Sequence, residues 1–418
     1  MSDDADPSIT QVKPRSAGLR SSPWNLARLL EGIGERRFFS RYFEKRPLLL
    51  SGGDPRRYSD LFNPANLDAL FSQVASVPND DLHVIREGRL LEGLPTGRDE
   101  LLPFLRASVA DGYSLVLYHA SRYWPAIAAL TRSLAEQVRC EVDSTLFLTP
   151  ARSRGMDRHF DVTDVFVLQL EGTKQWSISR PTAALPGASQ WRELDPQAPV
   201  ASGKTVTLHA GDLYYLPRGF EHAARAGEGA SLHIAVYIKP YSWRHYLHDL
   251  VDQAAEMDVA LRRSQPFWPA ASRDQARPPR LVARMLKDLP AGSNQRALDF
   301  ARERLVATLT PLAPNSPDLP LTCREFCVED QIERIPGQMG SVRRHSDGLH
   351  LGFPGGALSA PDSVEPALRF MIATNGPFPV SALPGRLSDK SKKVLVKRLV
   401  EMGFLRLVPA RPHETAPR

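Results

Sequence analysis

Residues 159–176 read HFDVTDVFVLQLEGTKQW, and this stretch sets the interpretation of the whole chain. His159 and Asp161 are two residues apart, so on an extended strand their side chains point to the same face. A neutral imidazole and a carboxylate on one face can fill two coordination positions of a divalent metal. The apolar run Val165–Leu168 follows shortly after and predicts a buried strand rather than a loop.

A third ligand is expected from residues 210–222, which read AGDLYYLPRGFEH and end in His222. Turn-forming residues bracket the short strand Leu213–Leu216 there, so strand, turn and ligand occur a second time. Two histidines and one carboxylate form the facial triad that is typical of non-haem Fe(II) oxygenases. The separation of 222 − 161 = 61 residues suits two strands brought together in a β-barrel. An isolated HxD is common by chance and a single histidine is more often structural, but the repeated context favours a metal site in a double-stranded β-helix.

These motifs resemble the JmjC (cupin-type) 2-oxoglutarate oxygenases. The chain is most similar to the ribosomal oxygenase subgroup, which hydroxylates ribosomal proteins. The likeness rests on residues 159–176, on Gly211-Asp-x-x-Tyr-x-Pro-x-Gly-x-x-His222, and on the upstream segments 38–49 and 58–62. The resemblance implies Fe(II) held by His159, Asp161 and His222, with 2-oxoglutarate as cosubstrate and oxidative decarboxylation to succinate and CO2.

The resemblance also assigns the cosubstrate pocket. Lys174 stands where the subgroup places the cation that binds the far carboxylate of 2-oxoglutarate, a charge-assisted bond worth about 1.5–3 kcal/mol. His233 matches the family, and we interpret it as lying behind the ligands rather than as a fourth ligand. Three positions depart from the family: Thr145 replaces an Asn, Phe147 replaces a Tyr, and Tyr237 replaces a Ser. Phe147 cannot donate a hydroxyl bond, so these changes bear on cosubstrate affinity and substrate class.

Composition indicates a globular protein rather than a membrane or disulfide-rich one. Of 418 residues, 42% are hydrophobic and 24% charged, and the net charge of +6 (53 − 47) permits acidic partners such as RNA without demonstrating them. Three cysteines give no disulfide framework, and Cys323 and Cys327 lack the companions of a zinc site. The polar start has no apolar leader, so we expect a cytoplasmic protein without membrane association.

The predicted fold class is α+β, in four parts. Residues 1–22 are a disordered tail, and 23–240 form the JmjC/cupin catalytic domain with N-terminal helices. Residues 241–320 form helices and a proline-rich linker, with one long helix from Trp243 to near Pro266 and two more at Arg280–Leu289 and Asn294–Leu309. In the family this region is the dimerisation module, so the resemblance implies a homodimer.

Residues 321–418 are predicted to form a winged helix, as the family also carries. Ser388 is a good N-cap for a helix over Asp389–Met402, which is followed by a strand at Phe404–Val408. Five basic residues cluster on that helix: Lys390, Lys392, Lys393, Lys397 and Arg398. They fit a nucleic-acid contact, but we favour a solvated helix face, because such charge runs are usually exposed surface.

The sequence therefore predicts an Fe(II)- and 2-oxoglutarate-dependent dioxygenase that hydroxylates an Arg or His side chain of a ribosomal protein. One alternative is a hydroxylase of a peptide or small-molecule natural product, which the changed pocket residues would suit. The other is a non-enzymatic cupin with a winged helix that acts as a binding protein.

Overall fold

The computed structural model describes residues 9–13, 23–76, 80–181, 183–190, 203–263, 287, 292–309, 326–345 and 348–408. The chain divides into two compact units, Met1–Pro240 and Tyr241–Arg418. Among the residues so described, every helix is too short or too polar to cross a bilayer.

The first unit carries five helices and thirteen strands in its described part. The helices are α1 Leu26–Leu29, α2 Glu35–Arg41, α3 Leu67–Val74, α4 Arg98–Ala110 and α5 Pro125–Val138. The strands are β1 Thr10–Val12, β2 Leu48–Leu50, β3 Leu82–Arg86, β4 Arg89–Leu90, β5 Ser114–Leu117, β6 Glu141–Thr149, β7 His159–Phe160, β8 Asp164–Glu171, β9 Thr173–Pro181, β10 Lys204–His209, β11 Leu213–Leu216, β12 Phe220–Ala226 and β13 Ser231–Lys239.

Two sheets face each other across one apolar core. The larger has nine strands in the order β1-β2-β11-β8-β13-β6-β5-β3-β4, and the smaller has the order β10-β9-β12-β7. Buried side chains from both sheets share one cluster, which includes Val165 and Val167 from β8 and Trp176 and Ile178 from β9. Every second residue of each strand therefore points into the barrel interior. Polar side chains at these positions are shielded from water.

The turn between β8 and β9 lies where the sequence predicts it. Gly172 has a φ of +69°, and a Cβ at this position would lie 2.0 Å from the carbonyl oxygen of Ala230. Only glycine fits such a close approach at positive φ. The tight turn brings the strand with Lys174 directly back along the barrel wall.

The prediction that residues 1–22 form a disordered tail is wrong at Thr10–Val12. These residues pair in parallel with Leu48–Leu50 at the edge of the large sheet. A three-residue segment carries too little periodicity to be read as a strand, and its extended state depends on a partner that is distant in sequence. The rest of the predicted tail lies outside the described residues, except for residues 9 and 13.

The hairpin of β3 and β4 was not predicted. β3 pairs with β5 and so extends the large sheet beyond the barrel strands. Its turn, at Glu87 and Gly88, touches the loop before His159, since the Gly88 amide donates to the Gly155 carbonyl over 3.0 Å.

The second unit begins with helices α6 Trp243–Met257, α7 Val259–Arg262 and α8 Ser293–Thr308. The prediction of one helix continuing to near Pro266 is wrong, because Asp258 adopts an extended conformation (φ −116°, ψ 115°) that ends α6. The helix predicted at Asn294–Leu309 is confirmed by α8. The helix predicted at Arg280–Leu289, apart from Lys287, and the proline-rich linker lie outside the described residues.

The remainder of the second unit has two helices, α9 Glu365–Ala373 and α10 Asp389–Glu401, and six strands. The strands are β14 Gln331–Arg334, β15 Ser341–His345, β16 Gly348–Phe353, β17 Gly356–Ala360, β18 Phe378–Pro379 and β19 Leu405–Leu407. They form two three-stranded sheets, β18-β14-β19 and β15-β16-β17. The predicted N-cap is confirmed, since the Ser388 hydroxyl accepts a bond from the Ser391 amide over 3.2 Å.

Candidate metal centre

His159 and His222 lie directly opposite each other on the paired strands β7 and β12. Asp161 follows β7 and completes a cluster whose three ligand atoms all lie within 4.8 Å of one another. Its two carboxylate oxygens are each 3.6 Å from one histidine Nε2. A register shift in β12 between Phe220 and His222 accompanies this geometry, as bulges often do where a strand must aim a side chain at a site.

Hydrogen bonds on the far side of each ring leave Nε2 free for a metal. The Nδ1–H of His159 donates to the Asp157 carbonyl over 2.8 Å, and that of His222 donates to the Phe220 carbonyl over 3.1 Å. Because a carbonyl can only accept, Nδ1 carries the proton and Nε2 keeps its lone pair in the neutral ring. Burial, with a further contribution from His159, lowers the pKa of His222 to about 4. Protons therefore compete little with a cation for this ring.

A second feature lies deeper in the same barrel. Lys174 is only 4% exposed, and its ammonium donates to the Thr149 hydroxyl over 3.0 Å and lies 5.7 Å from the centre of the Phe147 ring. Among the described residues no carboxylate contacts it, and burial lowers its pKa to about 7. A buried cation without a counter-ion is costly for the fold, and an anionic ligand would remove that cost.

Unpartnered polar atoms line the space between the two features. In the described part of the chain, Nδ1 of His233 and Nε1 of Trp176 are buried without a hydrogen-bond partner. The Trp176 ring lies 5.6 Å from the His222 ring and 5.8 Å from the His233 ring. His233 in turn stacks flat on Phe147 at 4.7 Å. Such groups are rare in interiors unless a ligand or water meets them, so this inner wall fits an elongated polar ligand.

Thr145 and Tyr237 lie on the inner face too, but neither contacts Lys174 among the described residues. The Tyr237 hydroxyl bonds to Asp143 and to the Thr145 hydroxyl, and burial together with the Asp143 carboxylate raises the pKa of Tyr237 far above its ordinary value. The structure therefore divides into separate groups the eight residues that the sequence assigns to the metal and cosubstrate sites. His233 stacks on Phe147, whose ring faces Lys174. Tyr237 instead bonds to Thr145 and Asp143.

An ion-pair clamp outside the barrel joins the two segments that carry the candidate ligands. Arg218 pairs with the fully buried Asp164 over 3.0 Å and with Glu44 over 2.8 Å. The Tyr215 hydroxyl donates to the other Asp164 oxygen over 2.6 Å, while burial raises the pKa of Asp164 to about 6. Next to the clamp, the amide of residue 219 donates to the Asp161 carbonyl over 2.9 Å.

Arg218→Met should destabilise the protein by about 3–5 kcal/mol, because it leaves the Asp164 carboxylate buried without its cation. The matched control is Arg152→Met, whose pair with Glu228 is exposed on both sides (74% and 82%) and should change stability by less than about 0.5 kcal/mol. Urea unfolding of the two variants measures the difference. Equal stabilities would show that the clamp does not fix these segments.

Sequence reasoning missed a contact inside this unit, in which Nδ1 of His119 meets the carboxylate of Asp143. Asp143 stands two residues before Thr145 on β6, so the two-residue period of the strand already placed it on the same inner face. Nothing marked His119, which comes from a loop and occurs in no motif. The partnership of these two residues depends on the pairing of β5 with β6.

Two facing sheets with two histidines and one carboxylate at one end define a class: double-stranded β-helix proteins with a facial-triad metal centre. Residues 116–246 match the JmjC domain family. The chain therefore contains a JmjC domain, and the curated proteins to which it is similar include ribosomal oxygenases.

Two curated relatives illustrate the likeness. The chain is 31% identical over 242 residues to the bifunctional lysine-specific demethylase and histidyl-hydroxylase NO66 of Culex quinquefasciatus, covering 55% of this chain and 37% of that protein. It is 31% identical over 339 residues to ribosomal oxygenase 1 of Rattus norvegicus, covering 73% of this chain and 56% of that protein. The chain thus spans less than two thirds of the length of these relatives.

Among solved structures, the crystal structure of the Escherichia coli ribosomal oxygenase YcfD matches with a TM-score of 0.54 and 19% identity, over 90% of this chain and 98% of that one. A structure of the same protein in complex with cobalt and 2-oxoglutarate matches with a TM-score of 0.53 and 18% identity, over 89% and 97% of the two chains. This likeness confirms the predicted cupin fold with mixed helices and strands.

Proposed function

We propose that the protein is an Fe(II)- and 2-oxoglutarate-dependent dioxygenase that hydroxylates an Arg or His side chain of a ribosomal protein. The observation that carries the proposal is one barrel holding both a three-ligand cluster within 4.8 Å and a buried, uncompensated lysine. The names of the relatives, histidyl-hydroxylase and ribosomal oxygenase, support the substrate class.

The residues present fit the metal and the cosubstrate. His159 and His222 would hold Fe(II) through Nε2, and Asp161 would hold it through a carboxylate oxygen, which leaves further coordination positions open. Lys174 and Thr149 would bind the far carboxylate of 2-oxoglutarate. When bound, the metal and cosubstrate supply the coupled decarboxylation that places one oxygen atom of O2 into a substrate C–H bond and leaves succinate and CO2.

The chain itself contributes orientation and exclusion of water. The carbonyls of Asp157 and Phe220 fix the two imidazoles in one tautomer, which directs both Nε2 atoms at the same point. The apolar side chains of Val165, Val167 and Ile178 line the interior, so charges there interact more strongly than in water.

The departures from the family support a rearranged cosubstrate pocket rather than a lost one. Phe147 has no hydroxyl, but its ring stacks on His233, whose Nδ1 has no partner in the described part of the chain. Thr149 supplies a hydroxyl next to Lys174. The pocket would therefore bind the carboxylate through Lys174, Thr149 and His233.

The second unit supports a homodimer, the assembly that the resemblance implies. Its helix α6 exposes Trp243 (79%), Leu247 (48%) and Val251 (43%) at four-residue spacing. These side chains form an apolar stripe on one helix face, and such a stripe is typical of a surface that another protein chain covers. We place dimerisation in residues 241–320. Light scattering on the full chain tests it, and a monomer at every concentration would contradict it.

We further propose that residues 321–418 form a winged helix and that the protein is cytoplasmic. The helices α9 and α10, which share one apolar core cluster with the small sheets, support the first, and a cysteine content too low for a disulfide framework supports the second. For the basic cluster on α10 we keep the solvated-face interpretation, because Lys397 and Arg398 both pair with Glu401.

Incubation of the full chain with Fe(II), 2-oxoglutarate, O2 and extracted ribosomal proteins tests the activity. Mass spectrometry should find addition of one oxygen to an Arg or His residue, coupled to succinate and absent with Asp161→Ala. Succinate without oxidation of any ribosomal protein would redirect the search to a peptide or small-molecule substrate. Absence of Fe(II)-dependent succinate would favour the binding-protein alternative.

A further inference from the structure

An ion pair joins the residues that directly precede the two candidate histidine ligands. Arg158 comes before His159, and Glu221 comes before His222 on β12. The Nε of Arg158 lies 3.7 Å from a carboxylate oxygen of Glu221. Because successive side chains on a strand point to opposite faces, the Glu221 side chain points away from the face on which the His222 ring meets the other ligands. The pair therefore bridges the two ligand-bearing segments from behind the imidazoles.

Both members of the pair are shielded from solvent. The side chain of Arg158 is 13% exposed and that of Glu221 is 9% exposed, and the buried Ser179 hydroxyl donates to the same carboxylate oxygen over 3.4 Å. An ion pair in such surroundings is screened far less than one in water. Glu221 is thus held from two directions, by Ser179 of the neighbouring strand β9 and by the residue that precedes β7.

The backbone alone holds this end of the small sheet weakly. β7 has two residues, lies at the edge of the sheet and pairs with β12 among the described strands. On its other side, β12 shifts register between Phe220 and His222, so Glu221 lies at the irregularity. Short edge segments with few backbone bonds open readily. A buried side-chain contact between the two segments opposes such opening and so keeps the histidines at a fixed separation.

The pair also lies within the two stretches that orient the imidazoles. In each stretch, Nδ1 of the histidine donates to the backbone carbonyl two residues earlier, over 2.8 Å for His159 and 3.1 Å for His222. Arg158 and Glu221 are the residues between carbonyl and ring. The centres of the two rings are 4.4 Å apart. One contact therefore fixes each ring, the carbonyl that orients it and the distance to the other ring together.

We propose that Arg158 and Glu221 are positioning residues that hold His159 and His222 at the separation that a divalent metal requires before the metal binds. This inference rests on the proposed function, since it concerns the same three-ligand cluster. Neither residue touches the metal, and both act through the histidines that follow them. Outer partners of metal ligands typically contribute about 10- to 100-fold to metal affinity. Removal of the pair should therefore weaken metal binding while the fold persists.

The test is a titration of Mn(II) into the full chain, followed by electron paramagnetic resonance, for the double variant Arg158→Met/Glu221→Gln. Both charges are removed together because loss of one partner of a buried pair destabilises a fold more than loss of both, and the glutamine oxygen still accepts from Ser179. The dissociation constant for Mn(II) should rise at least about tenfold, with the urea midpoint of the metal-free chain unchanged.

The matched control is Lys239→Met/Glu141→Gln, which removes a cross-strand pair of the large sheet that is 44% and 33% exposed. It should bind Mn(II) like the unaltered chain. Arg158→Lys is the conservative variant, and it should retain most of the affinity because an ammonium can reach the same carboxylate. Hydrogen exchange adds a readout without metal: a peptide spanning residues 157–162 should exchange faster in the double variant than in the control.

Unchanged Mn(II) affinity in the double variant would overturn the inference and leave the proposed function intact. A double variant that is unfolded without metal would overturn it as well, because the pair would then serve the fold rather than the ligands. Failure of Mn(II) to bind the unaltered chain would overturn both the inference and the proposed function.

Discussion

His222→Ala should lower affinity for Fe(II) or Mn(II) by at least about 100-fold and abolish metal-dependent turnover. The His222 ring supplies one of the three converging ligand atoms. It lies on β12, whereas His159 lies on the paired strand β7 and Asp161 follows that strand. Loss of an outer partner of a metal ligand typically costs 10- to 100-fold, so loss of a ligand itself should cost more. Titration of Mn(II) followed by electron paramagnetic resonance measures the affinity.

The matched control is His209→Ala, which removes an imidazole that is 67% exposed on the same small sheet. It should bind Mn(II) like the unaltered chain. Urea unfolding separates loss of a ligand from loss of the fold, because both variants should unfold cooperatively without metal. Unchanged Mn(II) affinity in His222→Ala would remove this histidine from the site.

Lys174→Met should have opposite effects on stability and on cosubstrate binding. Without 2-oxoglutarate, the variant should be more stable than the unaltered chain by about 2 kcal/mol at pH 7, because a buried, unpaired ammonium is replaced by an apolar chain of similar size. With 2-oxoglutarate, it should lose the charge-assisted bonds to the far carboxylate and bind at least about tenfold more weakly.

The stability gain should depend on pH in a definite direction. Burial lowers the pKa of Lys174 from 10.5 to about 7, so between these values the unfolded chain binds a proton that the folded chain does not. Stability of the unaltered chain therefore rises with pH across this window. The advantage of Lys174→Met should be full below pH 7 and should shrink as the pH approaches 10.5.

Urea unfolding at several pH values measures this dependence. Lys204→Met on the exposed edge strand β10 is the control, and it should show neither the gain nor the pH dependence. A Lys174→Met variant that is less stable than the unaltered chain at pH 7 would mean that Lys174 serves the fold rather than a ligand.

The candidate metal cluster was accessible from the sequence because each part has a local signal. The two-residue spacing of His159 and Asp161 gives a shared face, and the turn residues before His222 mark the end of a short strand. Lys174 required the resemblance, since spacing alone does not distinguish a buried lysine from an exposed one near a hairpin.

Other features depend on contacts that no local pattern encodes. The strand Thr10–Val12 exists because Leu48–Leu50 offers it an edge, and α6 stops at Met257 because Asp258 leaves the helical region. The pairing of His119 with Asp143 joins a loop to a strand 24 residues later. Tertiary contacts, rather than propensity, decide the strand Thr10–Val12 and the pairing of His119 with Asp143.

The most direct test of the central claim is a calorimetric titration of 2-oxoglutarate into the full chain without oxygen, with and without Mn(II) as an inert substitute for Fe(II). The account predicts binding that requires the metal and is weakened in Lys174→Met, because one barrel joins the two anchoring points. No binding in the millimolar range with Mn(II) present would contradict it, and the changed residues Thr145, Phe147 and Tyr237 would then mark a repurposed site.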